Sequence, residues 1–217
     1  LLSIGVYRWL YPITVASRTT SVPTTSSNAS PPNSQAIDPN ILFADDFSDP
    51  ASGWRVDSSQ NGRLEYYDGG YRILVNEPQM DIWSTPNLNF NDNINIRVST
   101  KNIGGPINNN YGVLCRYQVI DGKYNYYFFV ISSQGYAAIG IVNNNNRTLL
   151  KQLSDPSSAI NLGEASNQIS ASCGNSKLTL SVNSVELLSA EETTLSSGDG
   201  GLIAGTFSET GTDILFD

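Results

Sequence analysis

The chain has 217 residues, with 20 acidic side chains against 12 basic ones, a net charge of −8 and no histidine. An acidic surface offers no counter-charge to nucleic acid or anionic lipid headgroups, which argues against either as a general partner. Without histidine there is no Ser-His-Asp or Cys-His catalysis, and almost every catalytic zinc site is excluded.

The first 17 residues, LLSIGVYRWLYPITVAS, are apolar and aromatic with Arg8 as their one charge. Tyr7, Trp9 and Tyr11 around Arg8 resemble an interfacial aromatic belt with a snorkelling cation. Residues 1–17 are therefore expected to be the outer end of a membrane anchor. The β-branched and aromatic content of GVYRWLYPITV also allows an extended segment that docks on a partner.

Residues 18–40 contain nine Ser or Thr and four Pro in 23 positions, with no apolar periodicity. They read as an extended linker. Asn28-Ala29-Ser30 and Asn146-Arg147-Thr148 fit the glycosylation sequon.

From Ile41 the pattern changes to short alternating runs separated by Gly, Asn, Asp and Pro. The runs are YRILVN (71–76), NINIRVSTK (93–101), YGVLCRYQVI (111–120), YNYYFFVIS (124–132), YAAIGIVN (136–143), NQISASC (167–173) and KLTLSVNSVELL (177–188), with two more in 201–217. Period-two runs at this spacing predict an all-β, antiparallel sandwich or barrel. With the anchor and linker set aside, residues 41–217 hold 10 basic and 19 acidic side chains, so the acidity belongs to the sandwich.

Cys115 and Cys173 are the only cysteines, and both lie in strand-like runs. They are too few for a thiolate metal site and lack C-x-x-C spacing. The leading expectation is a disulfide between neighbouring strands, which places the domain in an oxidising compartment. Two buried free thiols and a reactive thiol are the other readings.

The segments DDFSDPASGW (45–54), GGPINNNYGVLCRY (104–117), YNYYFFVISSQGYAAIG (124–140), ASCGNSKLTLSVN (171–183) and GDGGLIAGTFSETGTDILFD (198–217) resemble the concanavalin A-like, or laminin-G-like, sandwich domains of membrane-anchored bacterial extracytoplasmic proteins. The resemblance implies a jelly roll over 41–217 with one curved sheet. It also implies that a first strand near 43–47 lies beside a last strand at 214–217. Glucanases of that superfamily carry E-x-D-x-x-E on one strand, so that three carboxylates point into one groove. The motif is absent here, and Glu65, Glu186, Glu191 and Glu192 have no partner at the right parity.

Three constellations could carry binding. Asp46 and Asp49, with Asp217 or Asp213 brought near by the implied strand pairing, could hold a structural calcium; otherwise they cap turns, and no cofactor is expected. Tyr111, Tyr117, Tyr124, Tyr126 and Tyr127 crowd two adjacent strands. Alternation turns Cys115 inward, and so predicts that Arg116 faces outward with Arg97; Tyr127 joins them as a third candidate contact for a glycan or protein ligand. YNYYFFVIS is apolar at both parities, which predicts that both faces of its sheet are covered. The runs Asn108–Asn110 and Asn143–Asn146 read as loop tips.

The functional expectation is a non-catalytic extracytoplasmic interaction module, tethered through its N-terminus to a membrane or to other protein subunits. Glycan binding through the concave sheet is the first alternative. A filament subunit assembling through its N-terminal segment and a hydrolase follow.

Overall fold

The structure, a computed structural model, describes residues 41–90, 93–174 and 176–217. The expected anchor, with Tyr7, Arg8, Trp9 and Tyr11, and the linker lie outside the described residues.

Among the described residues fourteen strands follow one another: β1 (Asp57–Ser59), β2 (Gly62–Tyr67), β3 (Gly70–Val75), β4 (Asp81–Ser84), β5 (Ile94–Gly104), β6 (Asn109–Ile120), β7 (Lys123–Ile131), β8 (Ala137–Asn143), β9 (Asn146–Gln152), β10 (Asn167–Cys173), β11 (Lys177–Val182), β12 (Val185–Glu191), β13 (Asp199–Thr206) and β14 (Thr212–Phe216). They form an eight-stranded sheet, β1-β2-β3-β14-β5-β10-β11-β12, and a six-stranded sheet, β4-β13-β6-β7-β8-β9. Every strand pairing is antiparallel.

The sheets stack face to face as alternation dictates. From the larger sheet, Tyr71, Ile73, Ile169, Leu180, Ile214 and Phe216 point inward. They meet Tyr111, Val113, Tyr127, Phe129, Ile139 and Leu202 from the smaller sheet. Each fully buried side chain of this kind contributes about 1.5–3 kcal/mol. Cys115 on β6 bonds Cys173 on β10, with their Cα atoms 6.7 Å apart. The expected disulfide is present, but it joins the two sheets through the core rather than neighbouring strands of one sheet.

Two turns show why the chain reverses where it does. Asn144 and Asn145, at φ 52° and 67°, join β8 to β9, and Asn183 and Ser184, at φ 49° and 70°, join β11 to β12. Two-residue hairpins need a positive φ at both central positions, which Asn tolerates best. The Asn143–Asn146 run is thus a loop tip, as expected. It is fastened to β7: Asn145 Oδ1 accepts the Tyr124 N–H at 2.7 Å and Asn125 Oδ1 accepts the Asn144 N–H at 2.9 Å.

Three expectations need correction. KLTLSVNSVELL is a hairpin, not one strand. Asn109 and Asn110 are buried strand residues of β6, not a loop. No strand forms near 43–47, and β14 lies between β3 and β5. Phe47 sits instead at φ 55° and packs its ring against both Trp54 and Tyr71, with centroids 5.5 and 5.8 Å away. It is used as a plug rather than as a sheet edge.

Candidate functional site on the six-stranded sheet

The residues singled out from sequence do not converge. Arg97 is exposed on the outer face of the eight-stranded sheet, in an open depression with Asn95, Ser170, Ser172, Thr179 and Ser181. Arg116 and Tyr127 lie in the interior. The alternation that turns Arg116 outward fails because β6 carries a bulge between Cys115 and Gln118, with Arg116 at φ 54°. A bulge inserts one residue and re-aims the side chain. The Arg116 guanidinium donates to the carbonyl oxygens of Leu195, Gly174 (2.8 Å) and Cys173 (3.4 Å). Tyr127 Oη accepts the Leu195 N–H at 2.8 Å, and burial holds its phenol above the usual range. Arg116 and Tyr127 therefore brace the end of the core beside the disulfide.

The candidate calcium ligands do not gather either. Asp46 Oδ1 accepts the Ser48 N–H at 3.0 Å, and Asp49 Oδ1 accepts the Ala51 N–H at 2.9 Å. The bonds from Ser48 hold the Asp46 carboxyl below the usual range. Asp217 is exposed at the end of the last strand, its backbone paired with Ser99. Among the described residues no three acidic, cysteine or histidine side chains form a group able to hold a metal ion.

The face that stands out is the second face of the six-stranded sheet, turned away from the core. Leu114, Tyr126, Phe128, Val130, Val142 and Ile203 make a second apolar cluster there, flanked by Trp83, Tyr117, Tyr124 and Ala138. The double parity of YNYYFFVIS foretold this: Tyr127, Phe129 and Ile131 belong to the main core, and Tyr126, Phe128 and Val130 to the other side. At one end the Trp83 ring packs against Tyr124, Tyr126 and Tyr117, with centroids 5.1, 5.5 and 6.2 Å away.

Polar groups cluster beside these rings. In register across the sheet stand Asp81 on β4, Gly205 on β13 and Asn110 on β6. A Cβ at Gly205 would collide with Asp81 Oδ1 and with Asn110 Nδ2, so both side chains lean over that glycine. Arg147 on β9 crosses the Phe128 ring, its guanidinium carbon 4.1 Å from the centroid, and pairs with Asp81 Oδ2. Asp81 Oδ1, both amide atoms of Asn110 and the Tyr126 hydroxyl are buried with no hydrogen-bond partner. Burial, and secondarily the Asp81 charge, push the Tyr126 phenol well above its ordinary range. Buried polar atoms are normally satisfied, so such a group is matched to something that brings donors and acceptors.

No family model and no curated protein matches the sequence. Solved structures do. A carbohydrate-binding module, CBM66 from Bacillus subtilis, aligns with a TM-score of 0.60 at 13% identity, covering 76% of this chain and 92% of that one. The β-glucanase of Bacillus licheniformis aligns with a TM-score of 0.54 at 9% identity, over 79% and 92% of the two chains. The chain has the concanavalin A-like jelly-roll fold. The κ-carrageenase of Pseudoalteromonas carrageenovora, solved with an oligotetrasaccharide of κ-carrageenan, aligns with a TM-score of 0.55 at 10% identity, over 79% and 89%. At these identities the likeness is one of fold alone, and catalysis and ligand must be argued from the site.

Sequence reasoning missed Asp81, Asn110 and Arg147. Arg147 sat inside a sequon, Asn110 inside an apparent loop run, and Asp81 in a strand of only four residues. The one available signal was the double parity of β7, which marks the face but not its polar residues.

Proposed function

We propose that the chain is a non-catalytic, glycan-recognising module of the cell exterior, which binds at the aromatic end of the second face of the six-stranded sheet. One observation carries this reading. Trp83, Tyr117 and Tyr124 are half-buried rings standing next to unpartnered Asp81, Asn110 and Tyr126 polar atoms. Aromatic faces accept the C–H faces of sugars, while a carboxylate, an amide and a phenol read hydroxyls. The fold neighbours that bind or cleave glycans favour the same ligand class.

The carboxylates favour binding over turnover. Asp81 stands opposite Gly205, six residues along β13 from Asp199. At about 3.3 Å per residue that is roughly 20 Å. A glycosidase pair works at about 5–5.5 Å or 6.5–9.5 Å. The disulfide supports an oxidising, extracytoplasmic setting.

The test is calorimetric titration of an oligosaccharide panel into the purified protein. Trp83→Ala and Asn110→Ala are each expected to weaken binding about tenfold or more, equivalent to about 1.4 kcal/mol. Arg97→Ala is expected to leave it unchanged. Binding that survives both face variants, or sustained release of reducing ends by the wild type, overturns the reading.

A further inference from the structure

The aromatic end accounts for only part of the second face. Leu114, Val130, Val142 and Ile203 form an aliphatic floor over the central strands β13, β6, β7 and β8, which sugar hydroxyls do not need. All four are buried, three of them completely. Among the described elements, the strands of the six-stranded sheet make their main packing contacts with the eight-stranded sheet, on the other side. An antiparallel sheet with a solvated face alternates apolar with polar residues; this one does not.

We propose that this floor is the docking site of residues 1–9 of the same chain, LLSIGVYRW. The segment has the composition the floor lacks a partner for: Leu, Ile, Val, Tyr and Trp, with a single charge at Arg8. That charge has a counterpart. Asp199, opposite Tyr117 in the β13–β6 register, is buried with its Oδ2 unpartnered. A buried carboxylate gains most from an arginine. Reach is no obstacle. The 23 residues of the linker span up to about 70 Å at roughly 3 Å per residue, whereas a domain of this size has a radius of gyration of about 16 Å. The tether makes docking intramolecular, at an effective concentration on the order of millimolar. The inference does not require a glycan at the aromatic end.

The experiment uses the full chain with photoreactive benzoylphenylalanine at position 7. On irradiation, cross-links within the monomer to peptides bearing Leu114, Val130 or Ile203 are expected by mass spectrometry. Arg8→Glu, which leaves the sandwich untouched, is expected to lower their yield at least fivefold; Ile203→Asn should do the same while the disulfide and the sheet signal persist. Four outcomes overturn the proposal: cross-links to the eight-stranded sheet, cross-links only in covalent dimers, no cross-links, or transfer of the cross-links to lipid when phosphatidylcholine–phosphatidylglycerol vesicles are added. Oligosaccharide titration of the same samples separates the two readings. Failed cross-linking with binding still sensitive to Trp83→Ala sinks only the occupant, and the reverse result sinks only the glycan.

Discussion

Asp81 and Arg147 sit on the two outermost strands of the six-stranded sheet, β4 and β9, and form an ion pair across its second face. Five strand spacings of about 4.8 Å would hold them some 24 Å apart in a flat sheet. Their contact therefore requires strong curvature, which turns the second face into a groove. The pair closes that groove above Phe128, with side-chain exposures of 3% for Asp81 and 11% for Arg147.

Breaking this pair one-sidedly should be expensive. Arg147→Met leaves the Asp81 carboxylate buried without its cation, a loss of about 3–5 kcal/mol. The double variant Asp81→Leu/Arg147→Met removes both charges and is expected to recover at least half of that loss. Urea denaturation of the four proteins in a double-mutant cycle reads the coupling. A double variant no more stable than Arg147→Met alone contradicts the account.

The disulfide should dominate kinetic and thermal robustness. It closes a loop with a sequence separation of 58, which is worth about 4 kcal/mol in the loop-entropy model. The Cys115→Ala/Cys173→Ala protein is expected to lose that amount in denaturant titrations without change in its β-sheet circular dichroism. Both sulfurs are buried, so native protein should resist reductant until it unfolds.

Arg116 should behave as a structural residue. Its guanidinium serves carbonyls in two different segments, Leu195 on one side and Cys173–Gly174 on the other. Hydrogen bonds to a charged group contribute about 1.5–3 kcal/mol, so Arg116→Met is expected to lower stability by at least that much. Arg116→Lys should recover little of it, because an ammonium lacks the planar fork that reaches several acceptors. Oligosaccharide affinity at a temperature where the variant is folded should match wild type, and a specific loss of binding would contradict this assignment.

Legibility followed hydrophobic contrast. Strands that bury one face, such as β3, β5 and β10, announced themselves by strict alternation, and two facing sheets followed from their number and spacing. The edge strands β4 and β9 did not. β9 reads NRTLLKQ and is mostly exposed, so no burial pattern marks it. Because the groove is closed by those edges, its polar residues were invisible while its apolar floor on β7 was not. Arg116 failed for a different reason: period-two reasoning assumes an unbroken ladder, and one bulged residue reverses every inference beyond it.

Alkaline pH should unfold the protein through its buried tyrosines. Tyr71, Tyr111, Tyr117, Tyr124, Tyr126 and Tyr127 all have phenols raised above their ordinary value, in each case chiefly by burial. Above pH 10 the unfolded chain releases these protons while the native state keeps them. The unfolded state then binds fewer protons, so stability falls as pH rises. Each fully shifted phenol contributes about 1.4 kcal/mol per pH unit. The most deeply buried of them, Tyr71, Tyr111 and Tyr126, should carry most of the loss above pH 10, with no comparable contribution below about pH 9. Phenolate absorbance at 295 nm from these six side chains should therefore rise cooperatively, coincident with loss of the sheet signal. A smooth titration of these six phenols near pH 10 with the fold intact would contradict the burial on which both sheet faces depend.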